Sequence, residues 1–442
     1  MRPALAVVAA ATPAGQRRLA RLVARGARVL DRRTVAAARR IVDRVARGGD
    51  RALLAAVAEH DDRRATSVAE LAWRPTAADR SGDALARETL AALELAIARV
   101  ETYHRAQAHA GFRLTLDGLE LEERRTPLAR VGIYVPGGRA AYPSTVVMTV
   151  VPARVAGVRE VVVATPPAAL AANPALRFVL ARLAVEEVWT IGGAQAVAAL
   201  AHGTETVRAV AKLVGPGNAW VTAAKRCVDG RIGVDGVAGP SEVVIVAGED
   251  APPDWIAADL LAQAEHDPRA AAILIATSRA LARAVALALE RRLEALATAS
   301  TARAALARFG AAFVVADLDQ AARLVERLAP EHLQLVGAEP EAAVERFGPA
   351  GAVFVGAGAP EALGDYVAGP SHVLPTCGTA RFASALGVDD FLRRSHVVRV
   401  SANAAPAELS RLAAAASRLA ALEGLPAHAA SAALRAAGER AA

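Results

Sequence analysis

The sequence predicts an α/β protein: two Rossmann-like parallel-sheet domains with small helical extensions at the N- and C-terminal ends. Three observations predict it. Residues 34–59 and 84–109 carry apolar side chains at helical spacing. From residue 131 onward, short apolar β runs alternate with helical stretches of about 12–25 residues, the signature of parallel strands joined by crossover helices. Residues 406–442 read as two Ala-rich helices split by Gly424-Leu425-Pro426, with too little bulky apolar content to form a core alone. A chain of 442 residues has room for two or three domains. Its 54% hydrophobic content and net charge of +7 exclude disorder over most of its length.

The first 50 residues hold twelve Arg and three Asp, a net +9, and the rest of the chain is close to neutral. The high pI of about 10.1 therefore describes one end of the chain. Residues 1–33 read as a basic arm. Only two Lys occur, Lys212 and Lys225, so composition accounts for the Arg excess more readily than selection for a polyanion does. In the helix over 34–59, Val35, Ile41, Val42, Val45, Leu53, Leu54 and Val57 form the apolar stripe, and Gly48-Gly49-Asp50 offers a stop and a new N-cap. The predicted strands are Val131–Val135, Val161–Ala164, Val188–Ile191, Val210–Val214, Val243–Ala247, Ala272–Ala276, Phe313–Ala316, Leu333–Val336 and Ala352–Val355. Beyond residue 385 the strand signal fades. The expected division is a first α/β domain from 34–130 and 245–381, a second from 131–244, and a helical C-terminal segment over 382–442.

No G-x-G-x-x-G is present. Four other glycine turns stand out: Val135-Pro-Gly-Gly-Arg139, Ile191-Gly-Gly-Ala-Gln195, Val214-Gly-Pro-Gly-Asn218 and Ala238-Gly-Pro-Ser-Glu242. Turns of this kind place bare backbone N–H groups and helix N-termini at the carboxyl edge of a sheet, where anionic nucleotides bind. Tyr134, Gln195 and Asn218 are suited to hydrogen bonding or stacking there. Tyr134 reads equally as an ordinary strand aromatic, and Asn218 as a turn residue in the left-handed conformation.

Gln263 and His266 lie one helical turn apart, as joint ligation of a metal requires, though surface polars before an Asp-Pro stop explain them as well. Asp365 and His372 fall in a Gly/Pro-rich stretch, and Glu423 and His428 flank the break between the two tail helices. Pro330-Glu331-His332 follows a helix and precedes a strand. A neutral His beside a carboxylate can act as a general base near neutral pH, and a turn-capping role is the simpler alternative. Two cysteines, Cys227 and Cys377, exclude a Cys-rich zinc or iron–sulfur site, so any metal takes N and O ligands. They also suggest a reducing compartment. No run reaches the length of a membrane span. The start loosely mimics a signal peptide, but it is short and Ala-rich and runs into Arg17-Arg18, so a cytoplasmic protein is expected.

Together these segments resemble the histidinol dehydrogenases. The pieces that carry the resemblance are VGIYVPGGRAAYPSTVVM (131–148), VPARVAGV (151–158), IGGAQAVAALAHGT (191–204), GPGNAWVTAAKR (215–226), VDGVAGPSEVVIVA (234–247), DLLAQAEHDP (259–268), APEHLQL (329–335), GDYVAGPSHVLPTCGTARFASALGVDDF (364–391) and EGLPAHAAS (423–431). It spans roughly 34–431 in order and spacing. Pro370-Ser371 departs from the Thr-Asn of some members.

The resemblance implies oxidation of L-histidinol to L-histidine by two NAD⁺ through an enzyme-held aldehyde, the last step of histidine biosynthesis. It implies one Zn²⁺ per subunit on Gln263, His266, Asp365 and His428. His332 would be the general base and Glu331 the group that activates water. Ser241, His372 and Glu423 would contact substrate together with the zinc and acid–base residues, and Tyr134, Gln195 and Asn218 would contact NAD. It also implies a homodimer in which the C-terminal segment, with Glu423 and His428, reaches into the partner's site. Neither nucleic acid nor membrane is an expected partner. Three other readings compete. A related dehydrogenase for another diol or amino alcohol would lose the tail residues. A nucleic-acid-binding or scaffolding protein with a basic arm leaves the polar constellation unexplained. A zinc hydrolase would need no NAD.

Overall fold

The computed structural model describes residues 4–26, 30–137, 142–236 and 238–436. The Gly138-Arg139 end of the first glycine turn, Arg2 and Arg28 of the basic arm, and tail residues 437–442 lie outside the described residues.

Fifteen strands occur among the described residues. In chain order they are β1 (Val7–Ala9), β2 (Ala72–Trp73), β3 (Gly111–Leu116), β4 (Leu119–Pro127), β5 (Arg130–Tyr134), β6 (Glu160–Ala164), β7 (Glu187–Trp189) and β8 (Lys212–Val214). Then come β9 (Gly233–Val234), β10 (Glu242–Ala247), β11 (Ala271–Ala276), β12 (Ala311–Val314), β13 (His332–Val336), β14 (Ala352–Val355) and β15 (Leu392–Val400). All nine predicted strands form, most with ends shifted by one or two residues. The first sheet has the order β1-β12-β11-β10-β13-β14 and is parallel throughout. The second has the order β2-β7-β6-β5-β8-β9, parallel except where β2 pairs antiparallel with β7. The central strands are apolar on both faces because helices cover both. In the first sheet Val243, Ile245 and Leu274 meet Leu260, Val285 and Leu289 on one side. Val244, Ile275 and Phe313 meet Leu19, Leu324 and Val325 on the other.

The chain divides into two compact units, one of residues 1–107 and 128–391 with both parallel sheets, the other of residues 108–127 and 392–442. Three expectations change. First, the basic arm is integral to the first sheet: β1 extends β12 in parallel, and the helix Pro13–Val23, capped by Thr12, buries Leu19 and Leu22. Its bulky apolar residues are few, so the charge masked them. Second, residues 34–130 do not join the sheet built from 245–381. The helix Arg32–His60 buries Ile41, Val42, Val45, Leu53 and Val57 against Val197, Leu200 and Val221, beside the second sheet. Third, the segment after 382 is not only helical, since β15 pairs with β4, and β4 with β3, in an antiparallel sheet. The β3–β4 turn is Asp117-Gly118, with φ of 47° and 75°, the backbone of a tight hairpin. That Asp-Gly was a legible signal. The exposed, charge-paired strands around it hid the sheet: Glu122 pairs with Arg124, Arg113 and Arg399.

Within the helix Arg32–His60, Gly49 has φ 52° and ψ −140°, a region open to glycine alone, and a Cβ there would strike the Glu205 carboxylate. Asp50 does not cap the second half; its carboxylate takes the Thr206 N–H and hydroxyl. Gly49→Ala is expected to lower stability by about 1–3 kcal/mol. Gly358→Ala, in open space, should change it by no more than about 0.5 kcal/mol. Urea midpoints of the two variants check this.

Candidate active site

The site begins at the amino-terminal ends of two adjacent parallel strands. The helix Leu318–Leu328 ends on Ala329 in the left-handed conformation (φ 42°), Pro330 prevents its continuation, and Glu331-His332 then enters β13. Val243 of β10 lies in register with His332, so Ser241-Glu242 and Glu331-His332 are neighbours. The Ser241 hydroxyl donates to Glu331 Oε2 at 2.5 Å, and the Glu242 N–H donates to the same oxygen at 3.0 Å.

His332 is buried, and its Nδ1–H donates to the Glu242 carbonyl at 3.1 Å, which leaves Nε2 as the proton acceptor. Asp365 Oδ1 lies 3.8 Å from Nε2 and Glu361 Oε1 lies 3.5 Å from Nδ1. Burial nevertheless wins over these anions and pushes His332 down to about 4, so the ring is neutral. Burial pushes Glu331 up to about 8, against its two hydrogen bonds and with help from the charges of Glu242 and Asp365. Glu361 is raised well above the ordinary carboxyl range by burial and by its neighbours Asp365 and Glu331.

Gln263 occupies the last turn of the helix Pro253–Ala264, and His266 follows just after it. Ligating atoms of His266, Glu361 and Asp365 all lie within 4.8 Å of one another. Glu361 was missed in the sequence, yet it precedes Asp365 by one helical turn, the spacing logic that singled out Gln263 and His266. His372 faces the same region through its Nδ1–H, which donates to the Asp365 carbonyl at 2.9 Å. Among the described residues, neither carboxamide atom of Gln263 has a partner, although the side chain is fully buried, and Glu361 Oε2 is likewise unpartnered. Orphaned amides of this kind cost about 1–3 kcal/mol unless a ligand satisfies them. Two carboxylates, an imidazole and a free carboxamide are hard N and O donors with excess negative charge, a donor set that fits a divalent metal without thiolates. Glu423 and His428 belong to the second compact unit, where both are exposed.

The turns of the second sheet depart from expectation. Its topological switch point lies between β5 and β8, where a nucleotide is expected. Tyr134 ends β5, buried, and its oxygen accepts the Gly193 N–H at 3.1 Å. Burial raises its phenol to about 12. Gln195 Nε2 donates to Asp61 at 2.9 Å, and the Gly192 N–H to the same carboxylate at 3.2 Å. The Gly215 N–H goes to Asp235 at 2.6 Å, and Lys225 bridges Asp235 and the Gly215 carbonyl. The N–H groups of Gly192, Gly193 and Gly215 are thus not bare: acids remote in sequence take two of them and the tyrosine takes the third. Asn218 is not left-handed. At φ −71° it caps the helix Ala219–Val228, accepting the N–H groups of Trp220 and Val221.

A doubly wound fold with a topological switch point, and a buried neutral imidazole beside a carboxyl group, is an arrangement that an α/β oxidoreductase can use. Comparison with known proteins agrees. The family model described as histidinol dehydrogenase matches residues 26–436. The chain is 51% identical over 365 residues to the histidinol dehydrogenase of Rhizobium meliloti (strain 1021), covering 81% of this chain and 82% of the relative. It is 53% identical over 343 residues to that of Cereibacter sphaeroides, covering 77% and 78%. The crystal structure of histidinol dehydrogenase from Elizabethkingia anophelis shares the fold with a TM-score of 0.87 at 27% identity, over 98% of each chain. The chain belongs to the histidinol dehydrogenase family.

Gln263→Leu removes the orphaned amide at nearly constant volume. In metal-free protein it is expected to be as stable as wild type or more so, by about 1–3 kcal/mol. Excess Zn²⁺ should raise the wild-type melting temperature, by about 2.7 kcal/mol of stability at a hundredfold excess over Kd, and leave the variant's nearly unchanged. Thermal melts with chelator and with Zn²⁺ check both.

Proposed function

We propose that this enzyme oxidises L-histidinol to L-histidine with two NAD⁺, holding L-histidinaldehyde between the steps. The carrying observation is the pairing of Glu331 and His332 at one strand end, beside the His266–Glu361–Asp365 cluster. In the first step the alcohol carbon loses a hydride and its hydroxyl loses a proton. In the second, water adds to the aldehyde and the hydrate loses a second hydride and proton. Each oxidation therefore releases one NADH and one proton, and the carboxylic acid formed in the second then ionises and releases a further proton.

His332 suits the proton of each oxidation: its tautomer is held by the Glu242 carbonyl, and Asp365 stands ready to stabilise the imidazolium once formed. Glu331 suits the water. Its raised pKa makes the ionised carboxylate a strong base, and Ser241 orients it. Gln263, His266 and Asp365 would hold Zn²⁺, with His428 supplied by a second copy, and Glu361 stands at the same cluster. When bound, zinc would hold the substrate's imidazole and amine, and NAD would accept the hydrides. Ser241, His372 and Glu423 would contact substrate, and Tyr134, Gln195 and Asn218 the cofactor. A closed site also keeps the reactive aldehyde from solvent.

The second unit supports a homodimer. Helices Pro406–Leu422 and Pro426–Ala436 bury no residue, and Phe112, Leu116, Val398, Leu419, Leu422 and Leu434 are exposed. Surface of that kind calls for a protein partner. Cytoplasmic placement fits the two free cysteines, and among the described residues no helix is long and apolar enough to cross a membrane.

Two NADH are expected per L-histidinol consumed, counted at 340 nm against substrate loss. One would indicate a simple alcohol dehydrogenase, and none would refute a dehydrogenase acting on this substrate. Mixing His332→Ala chains with His428→Ala chains should regenerate activity if the tail crosses between copies. Inactive heterodimers of verified composition would count against the exchange.

A further inference from the structure

The second glutamate of the site, Glu242, is buried beside Glu331, and the residue that balances it comes from the other end of the chain. Arg25 follows the helix Pro13–Val23 and is 6% exposed, deep for an arginine. Its Nη2 lies 2.6 Å from Glu242 Oε2 and 2.8 Å from the Pro240 carbonyl, while Nη1 reaches the Arg269 carbonyl at 3.4 Å. Glu242 uses its other oxygen to accept the Cys377 N–H at 2.8 Å. Pro240 and Glu242 flank Ser241, so a single guanidinium grips the chain on both sides of the hydroxyl that Glu331 accepts. It also secures the Glu242 N–H that binds Glu331.

We propose that Arg25 is a positioning residue for the water-activating carboxylate: through Glu242 and Pro240 it holds Ser241 and the Glu242 N–H against Glu331. The proposal rests on the assignment of Glu331 to aldehyde hydration. Arg25 lies one residue before the segment matched by the family model, in the stretch that the sequence alone presents as a bystander. Nη2 serves both Glu242 and the Pro240 carbonyl while Nη1 reaches the Arg269 carbonyl, so the planar guanidinium ties the Ser241 segment to a second one in fixed directions, which the single nitrogen of a lysine does not reproduce. The positive charge alone is therefore not sufficient.

The test separates the two half-reactions in full-length, zinc-loaded enzyme: L-histidinol to aldehyde, and supplied aldehyde to acid. Arg25→Lys, which keeps a charge opposite Glu242, is expected to fold, to retain the first oxidation within about twofold, and to slow the second roughly tenfold. That loss is smaller than the roughly 10²–10⁴ attached to losing an acid–base group itself. In Arg25→Ala the second half should fall further, and guanidinium added below denaturing concentration should recover part of it. Equal slowing of both halves in the lysine variant, or no slowing of either, overturns the proposal. Glu331→Gln is measured alongside. If it spares the aldehyde half, the underlying assignment fails and the proposal with it. If it slows that half and the Arg25 variants do not, the proposal alone is lost.

Discussion

The ion pair between Arg25 and Glu242 allows two carboxylates, Glu242 and Glu331, to share the amino-terminal edge of one sheet. Removing a carboxylate from water costs several kcal/mol, and a second one alongside costs more. Here one is paired, and the other keeps its proton more tightly and is held by a hydroxyl and a backbone N–H. The strand register separately sets the Glu242 carbonyl against His332, and that carbonyl selects the histidine nitrogen that is free to act. Farther out, burial and the neighbouring Asp365 and Glu331 hold Glu361 well above the ordinary carboxyl range, with Asp365 and His266 beside it.

The second sheet solves a different problem. Glycine turns leave N–H groups that must find acceptors when buried. Asp61, Asp235 and the Tyr134 oxygen meet that need within the chain, at the positions where a phosphate might otherwise have done so. The edge is therefore shaped in advance and needs no ligand to satisfy it.

How much of this was legible follows from range. Nine of the twelve strands of the two parallel sheets were readable because buried strands are nearly all apolar, and their helices because the 3.6 period is local; the short edge strands β1, β2 and β9 were not. The pairing of Glu331 with His332 and of Gln263 with His266 could be suspected from spacing. What escaped is non-local. Asp61 meets Gly192, Asp235 meets Gly215, and Arg25 meets Glu242 across distances in sequence that no periodicity spans. The antiparallel sheet escaped for another reason. Strands β3, β4 and β15 carry charges on exposed faces, so their alternation is between two kinds of solvated residue and not between core and surface. Glu361 escaped because a lone glutamate at a helix start is ordinary until Asp365 and His266 are seen beside it.

The placement of β1 at the edge of the first sheet has a consequence for synthesis. Val7 pairs with Ala312, so β1, once translated, waits for most of the sequence described here before its partner exists. The second sheet, whose strands all lie between residues 72 and 234, is complete much earlier and can close while translation continues. The leading segment is thus seated only after β12 has been made, and with it arrives the charge that Glu242 needs. Vectorial folding leaves the catalytic edge unfinished until the scaffold around it is already in place.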